Sequence, residues 1–228
     1  LDDAEMRDAK RGQFYMTDPH RVVANNSAVY ETQPTNTELM DEWVALMKSG
    51  SGERGIFNRG SLAVTLPKRR VEYFKKLGFI SEDGVAQGPV GTNPCAEIIL
   101  QSKQFCNLSE VIARAHDTEA TLLRKARLAA ILGTYQSTLT KFGYISKEWT
   151  VHCAAERLLG VSITGQWDSP VARRAEVMRK VRDVAVKTNV TYAKRFGIER
   201  SMAVTAVKPS GTVSQTFNCA SGIHPRHA

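Results

Sequence analysis

The chain has 228 residues, 42% hydrophobic and 24% charged, so it can bury a sizeable core and has the composition of an ordinary globular protein. Its net charge of +8 indicates an anionic partner, but it does not separate a nucleic acid from a phosphorylated small molecule. No apolar run reaches the roughly 20 residues that cross a bilayer, and the first residues lack the layout of a signal peptide. We therefore expect a cytoplasmic protein with no membrane association.

The four cysteines form neither a C-x-x-C pair nor a zinc pattern. Reduced thiols are expected, any disulfide being catalytic, and no metal site is predicted. Basic residues gather on two predicted helices, which indicates solvated helix faces, with a nucleic-acid-binding surface as the alternative. An aromatic content of 7% argues against that alternative. These basic residues are Arg69, Lys75, Lys76, Arg173, Arg174, Arg179, Lys180 and Arg182.

The first third of the chain contains two predicted helices. The first runs from Thr35 to Gly50, because Thr35 and Glu38 form a capping-box pair and a glycine ends the pattern. Its apolar stripe includes Trp43, which we expect to pack in the core. The second helix runs from Lys68 to Leu77. Short strands are predicted at Arg21 to Asn25 and Ile56 to Asn58, and Ser81 to Gly91 is predicted to be a loop.

The segment from Gly91 to Asn107 contains the highest concentration of candidate catalytic side chains. Pro94 disfavours helical backbone at Asn93, so this asparagine should be extended or in a turn. In extended backbone, Asn93, Cys95 and Glu97 would point the same way and bring an amide, a thiol and a carboxyl together. A second cysteine, Cys106, follows eleven residues after the first.

Helices and short strands alternate in the remainder of the chain. This alternation indicates an α/β arrangement with parallel strands, although a doubly wound sheet would give much the same pattern. Cys153 lies inside a predicted helix and is expected to be a buried, inert residue. The predicted elements are apolar runs at Ile98 to Leu100 and Phe105 to Val111, helices at Thr118 to Phe142, Trp149 to Leu159 and Ser169 to Phe196, and strands at Val161 to Thr164 and Met202 to Val207.

The last strand leads into Lys208-Pro209-Ser210-Gly211-Thr212. Backbone amides at the start of a following helix would favour an anion, and the hydroxyls of Thr212 and Ser214 would add donors. An ordinary Pro-Ser-Gly turn is the alternative. Further on, His224 and His227 are three residues apart, but Pro225 interrupts any helix that could present them together to a metal.

Several of these segments resemble one enzyme family. NPCAE followed by FCNLSE, from Asn93 to Glu110, is similar to the active-site finger of adenosylcobalamin-dependent (class II) ribonucleotide reductases, and the likeness is closest to the monomeric ribonucleoside-triphosphate reductase type. The segments that agree in order are ANNSAVY from Ala24, GERGIFNR from Gly52, GVSITGQWD from Gly160, VKPSGTVSQT from Val207 and ASGIHPRHA from Ala220.

The resemblance implies a fold and a set of roles. The fold would be part of a ten-stranded α/β barrel whose central finger loop, about 91–107, places Cys95 away from bulk water. A thiyl radical on Cys95, generated from adenosylcobalamin, would take the 3′-hydrogen of the ribonucleotide. Glu97 would accept the 3′-hydroxyl proton, Asn93 would hydrogen-bond the substrate, and Cys106 would be one of two thiols that reduce the 2′ position and end as a redox-active disulfide. The residues implied to bind substrate phosphates are Pro209, Ser210, Gly211, Thr212 and Ser214, within the loop 208–214.

The resemblance also implies what surrounds this chain. The substrate would be a ribonucleoside triphosphate or diphosphate, reduced for DNA replication with a dithiol such as thioredoxin, by a monomer or simple homo-oligomer. The family's second reducing cysteine and C-terminal tail thiols have no counterpart, so residues 1–228 are expected to be an internal portion of a single catalytic barrel domain. A catalytic subunit that takes its radical from a separate metal-bearing subunit is the nearest alternative, and the FCNLSE spacing and ASGIHPRHA segment favour the cobalamin form.

Overall fold

The computed structural model describes residues 3–50 and 54–226, in two units, Leu1–Ser102 and Lys103–Ala228. The helices and strands of the first unit are α1 (Ala4–Asp8), α2 (Phe14–Thr17), β1 (Ala28–Tyr30), α3 (Asn36–Ser49), β2 (Ile56–Asn58), α4 (Leu62–Thr65), α5 (Lys68–Lys76), β3 (Val90–Thr92) and β4 (Ile99–Gln101). Those of the second are β5 (Asn107–Ile112), α6 (Glu119–Gln136), α7 (Lys147–Glu156), β6 (Leu159–Thr164), α8 (Ala175–Phe196) and α9 (Gly211–Thr216). Among the described residues, none of the helices is both long enough and apolar enough to cross a bilayer.

The first unit contains two small sheets. Strands β1 and β2 are parallel, and α3 lies in the connection between them, whereas β3 and β4 form an antiparallel hairpin. The capping box predicted for α3 is present: the Thr35 hydroxyl accepts from the Glu38 amide, and the Glu38 carboxylate accepts from the Thr35 amide. Gly50 ends the helix in the left-handed conformation. The core of this unit comprises Leu62, Phe74, Ile80, Ala86 and Val90.

The apolar stripe of α3 does not face the core, which corrects the sequence prediction for Trp43. Its side chain is 49% exposed, and Glu42 is instead the buried residue of the helix. The Glu42 carboxylate receives a hydrogen bond from each side of the Arg54 guanidinium, including one of 2.6 Å from Nη2 to Oε2. Because this ion pair satisfies the buried charges, the helix turns its polar residue inward and its tryptophan outward.

The second unit is built on a parallel pair of strands. In the pairing of β5 with β6, Asn107 lies opposite Leu159 at one end and Ile112 lies opposite Thr164 at the other. The segment 202–207 lies along the other edge of β6, where the Val161 amide donates to Val204 and the Ala206 amide donates to Val161. The expected α/β arrangement with parallel strands is therefore confirmed, and membership of a ten-stranded barrel remains a prediction.

The two faces of this sheet have different environments. Odd-numbered strand residues face helices α6 and α8, and small residues such as Ala126, Ala130 and Ala185 let these helices approach closely. Even-numbered residues face the other way, towards the segment 208–222. Alternation thus separates a packed core from a second face that carries Glu110, Ser162 and Thr164 beside the apolar Leu108 and Ile112. The clusters that form the core contain Val111, Ala113, Leu122, Ala126, Ala130, Leu159, Val161, Ile163, Ala172, Val177, Val181, Ala185 and Val204.

Several predicted elements differ from the structure. The strand predicted at Met202 to Val207 is present only as an isolated bridge from Thr205 to Val161. Residues 19–23 form a short 3-10 helix rather than a strand. Helix α6 ends at Gln136 instead of Phe142, since Arg157 donates to the Ser137 carbonyl and Phe142 packs edge-on against Phe105. Helix α8 begins at Ala175, because Ser169 caps only a single turn, in which its hydroxyl accepts from Ala172.

Candidate active site

The NPCAE segment forms the loop of the β3–β4 hairpin. Asn93 and Ile98 close it: the Asn93 amide donates to the Ile98 carbonyl and the Ile98 amide donates to Asn93 Oδ1, both at 3.0 Å. The Ala96 amide donates back to the Asn93 carbonyl at 3.0 Å, and Ala96 has a φ of 64°. The predicted turn at Asn93 is confirmed, whereas the extended backbone that would align three side chains is not found.

Cys95 lies at the tip of this turn and is exposed. The expectation that it is shielded from water is therefore not met in this chain, because the tight turn projects Pro94, Cys95 and Ala96 outward together. An exposed thiol at a loop tip is accessible to a ligand or cofactor without any backbone movement.

The neighbours of Cys95 are polar and partly ordered by the loop. Glu97 is half-buried, and both of its carboxyl oxygens are buried. Asn93 uses its side-chain oxygen to hold the loop, so its amide N–H groups are what it could offer to a substrate. The ANNS segment also contacts this loop, since Asn25 Nδ2 donates to the Pro94 carbonyl at 3.3 Å.

In the second unit, Cys106 directly precedes β5 and is half-buried. Its sulfur lies against Gly160 of the neighbouring strand, where an added Cβ atom would be 3.2 Å from Sγ and 2.5 Å from Leu108 Cδ2. The absence of a side chain at Gly160 therefore makes room for the cysteine on the even-numbered face of the sheet.

The 208–214 loop follows the segment 202–207 and crosses this face. Ser210 adopts the left-handed conformation, with φ 59° and ψ 51°, immediately before the six-residue helix α9. The Ser214 hydroxyl donates to the Gly211 carbonyl at 2.7 Å, and the Ser221 hydroxyl donates to the Pro209 carbonyl. Thr212 is exposed, so among the predicted hydroxyl donors it is the one on the surface of the loop.

Sequence reasoning assigned no role to Glu110, which the structure places beside this loop. Its Oε2 accepts from the Ser210 hydroxyl at 2.8 Å, and its Oε1 lies 3.5 Å from the Ser162 hydroxyl. Burial raises the pKa of Glu110, although the two serines and the charge of Lys208 oppose the increase. A glutamate between the apolar strand residues Leu108 and Ile112 could have indicated a role. Its partner could not be predicted, because Ser210 is 100 residues away in sequence.

The ASGIHPRHA segment is anchored by an ion pair to GVSITGQWD. The Arg226 guanidinium binds both carboxyl oxygens of Asp168 at 2.9 and 3.0 Å, and these hydrogen bonds lower the pKa of Asp168. Asp168 also accepts from the Ala220 amide at 2.8 Å. His224 Nδ1 lies 3.1 Å from the Ser221 carbonyl oxygen, and His227 lies outside the described residues, as do Gly52 and Glu53 of an earlier motif.

The candidate residues fall into two groups. Asn93, Cys95 and Glu97 lie in the first unit, and Cys106 and the 208–214 loop in the second. Within the second unit, Cys106 and Glu110 are four residues apart on the same face, about 13 Å at roughly 3.3 Å per residue. In the part of the chain that the structure describes, no three His, Cys, Asp or Glu side chains cluster as a metal site.

Several curated proteins with similar sequences share one name, adenosylcobalamin-dependent ribonucleoside-triphosphate reductase. The protein of that name from Levilactobacillus brevis is 25% identical over 241 residues, which covers 92% of this chain and 30% of the relative. The one from Lacticaseibacillus paracasei is 26% identical over 246 residues, with the same coverage, and the one from Lactobacillus leichmannii is 24% identical over 240 residues. The chain thus spans about 30% of the length of these relatives.

No protein-family model matches the chain. A solved structure described as a B12-dependent (class II) ribonucleotide reductase aligns with 62% of this chain and 24% of its own, at 26% identity and a TM-score of 0.47. The resemblance that the motifs indicate is confirmed by the sequence relatives.

Proposed function

We propose that this chain is part of an adenosylcobalamin-dependent ribonucleotide reductase that replaces the 2′-hydroxyl of ribonucleoside triphosphates by hydrogen. The observation that carries the proposal is the match of nine-tenths of the chain to relatives of that name. The chain is then an internal portion of a single catalytic barrel domain, and NPCAE is its finger loop.

Cys95 is the residue that the cofactor must reach. Its thiol is exposed at the loop tip of this chain, so the proposal requires the remainder of the barrel to shield it from water. Adenosylcobalamin, when bound, would supply a radical by homolysis of its cobalt–carbon bond. Cys95 loses its thiol hydrogen to that radical, becomes a thiyl radical and removes the 3′-hydrogen of the bound ribose.

Glu97 and Asn93 flank this sulfur on the same loop. Glu97 acts as the general base that accepts the 3′-hydroxyl proton, a role suited to a carboxylate beside the sugar. Asn93 hydrogen-bonds the substrate through its side-chain N–H groups, since its oxygen already holds the loop.

Cys106 acts at the 2′ position as one of two reducing thiols. The two thiols give up their hydrogens and form a disulfide, the 2′-carbon gains hydrogen, and the hydroxyl leaves as water. A separate dithiol such as thioredoxin then restores both thiols. Cys106 and Glu110, which contacts the 208–214 loop, lie on the same face of the sheet. This supports a substrate whose ribose is near the sulfur and whose phosphates are near Pro209, Ser210, Gly211, Thr212 and Ser214.

The decisive experiment uses the protein encoded by the complete gene. We expect ribonucleoside triphosphate reduction that requires adenosylcobalamin and a dithiol, with Cys95→Ser abolishing product while retaining nucleotide binding. Cys153→Ala is the matched control, because Cys153 is buried in α7 and should pack equally well as alanine.

Two results would change the assignment. Reduction without cobalamin, supported by an added metal-bearing subunit, would favour a reductase that takes its radical from that subunit. Full activity of Cys95→Ser would refute the finger-loop mechanism altogether. Preference for diphosphates over triphosphates would revise the substrate and leave the reaction unchanged.

A further inference from the structure

Glu110 is a charged residue in a place where an apolar one would satisfy the packing. It lies on β5 between Leu108 and Ile112, directly opposite Ser162 of β6, on the face of the sheet away from helices α6 and α8. The carboxyl group is half-buried, and burial raises its pKa, so keeping it there has a cost in free energy. The cost requires a compensating role, and the proposed chemistry gives Glu110 none.

The contacts of Glu110 connect the sheet to the 208–214 loop. Oε2 accepts from the Ser210 hydroxyl at 2.8 Å, and Oε1 lies 3.5 Å from the Ser162 hydroxyl, which itself accepts from the Lys208 amide at 2.9 Å. One carboxylate oxygen of Glu110 therefore contacts Ser210 directly, and the other is connected to Lys208 only through the Ser162 hydroxyl.

This turn contains an unfavourable backbone conformation. Ser210 has a left-handed backbone conformation, which residues other than glycine rarely adopt without a compensating contact. Its hydroxyl donates to Glu110, so the side chain is committed to the sheet rather than available to donate to a phosphate. What the turn can offer an anion is its backbone and the exposed Thr212, and their direction depends on the conformation of Ser210.

We propose that Glu110 is a positioning residue: by accepting the Ser210 hydroxyl it holds Ser210 left-handed and so aims the 208–214 loop at the phosphates of the substrate. The inference rests on the proposed function, and it assigns affinity for the nucleotide, rather than the chemical step, to a carboxylate that does not touch the sugar. Ser210 correspondingly acts through its backbone conformation and its hydrogen bond to Glu110.

The kinetic test compares variants of the protein encoded by the complete gene. Glu110→Ala should raise KM for the nucleotide about ten-fold or more, with kcat within about two-fold of wild type. Glu110→Gln should restore KM, because an amide oxygen accepts the same hydrogen bond. Ser210→Ala should match Glu110→Ala, and the double variant should be no worse than either, since both remove one interaction. Glu199→Ala, at an exposed carboxylate of the same unit, is the control and should leave KM unchanged.

A second experiment needs no substrate, so its result does not depend on whether the proposed function is correct. Amide hydrogen exchange at Ser214, whose amide donates to the Ser210 carbonyl, should accelerate in Glu110→Ala and stay at the wild-type rate in Glu110→Gln. In the kinetic experiment, Ser210→Gly in the Glu110→Ala background should recover part of the lost affinity, because glycine adopts the left-handed conformation readily.

The outcomes are distinguishable. A folded Glu110→Ala protein with unchanged KM and unchanged exchange would overturn the proposal, as would equal impairment of the alanine and glutamine variants. Accelerated exchange in a protein that neither binds nor reduces nucleotides would uphold the positioning of Ser210 by Glu110 and refute both the proposed function and the phosphate role.

Discussion

At the scale of single residues, Asn93 has two separable duties. Its side-chain oxygen holds the Ile98 amide and closes the hairpin loop, and its N–H groups are proposed to bind substrate. The oxygen of the amide holds the loop and its nitrogen is proposed to bind substrate, so different substitutions should remove different duties.

We predict that Asn93→Ala lowers the free energy of unfolding by about 1 kcal/mol, because the Ile98 amide loses its acceptor. Asn93→Asp should keep most of that stability, since a carboxylate accepts the same hydrogen bond. It should nevertheless lose turnover, because it has no N–H to donate. Urea denaturation and assays of the full-length protein separate these effects, and equal destabilisation by both substitutions would contradict the structural duty.

The residues on α3 reverse the expectation that apolar side chains are buried and charged ones exposed. Glu42 is 2% exposed and pairs with Arg54, while Trp43 is half exposed. The hydrogen bonds from Arg54 lower the pKa of Glu42 despite its burial, so the carboxylate is charged at neutral pH.

We predict that Glu42→Ala destabilises the chain by about 3 kcal/mol, because it leaves the Arg54 charge buried without its partner. Trp43→Ala should cost less than about 1 kcal/mol, as expected for a side chain that remains largely in water. Chemical denaturation of the two variants provides the comparison. A larger loss from Trp43→Ala than from Glu42→Ala would show that the stripe on α3 is buried after all.

At the scale of elements, Asp117 holds the connection from β5 to α6. Its carboxylate accepts from the Arg114 amide, the Thr121 hydroxyl and Lys125 Nζ, each at 2.7 Å. Burial alone would raise the pKa of Asp117, but these hydrogen bonds together outweigh burial and lower it. The first turn of α6 is thereby fixed to the end of the strand.

The lowered pKa makes this connection sensitive to acid. A carboxyl with a depressed folded-state pKa contributes stability above its ordinary value of 3.8, and loses that contribution as the pH falls through the lower folded value. Asp117→Asn should cost about 1 kcal/mol at neutral pH, since Lys125 is partly exposed and water screens the pair. Unfolding free energies between pH 2 and 6 should converge for wild type and variant at the acid end, and a constant difference across this range would count against the ion pair.

Sequence reasoning succeeded for elements whose determinants are local. The capping pair of α3 and its terminal glycine specify both ends of the helix within a few residues. It failed where distant residues decide, as at α6, whose end depends on Arg157 and on packing of Phe142 against Phe105. The contact between Glu110 and Ser210 likewise joins residues that no local pattern connects.

At the scale of the whole chain, the family resemblance is confirmed, whereas the roles of the candidate site residues stay predictions. The motifs indicated which thiols, amides and carboxyls belong together, and the sequence relatives confirm the resemblance. The exposure of Cys95 was not predicted, because the direction of a turn depends on its hydrogen bonds rather than on its composition.

The four cysteines differ in accessibility, and this gives a prediction for the chain as a whole. None is in a disulfide; Cys95 is exposed, Cys106 is half-buried, and Cys153 and Cys219 are buried. Burial also raises the pKa of Cys153, which lowers its thiolate fraction. Alkylation followed by mass spectrometry of peptides should modify Cys95 first, Cys106 next, and the other two only on unfolding. Early modification of Cys153 or Cys219 would be inconsistent with this fold.

The alternation along β5 has an evolutionary consequence. Ser109 and Val111 are constrained by the volume available against the helices, whereas Leu108, Glu110 and Ile112 are constrained by what the opposite face must contact. Two kinds of selection therefore act on this six-residue strand, and they alternate from one residue to the next. A saturation scan of this strand would show tolerated substitutions with a period of two, sorted by size at one position and by hydrogen-bonding capacity at the next.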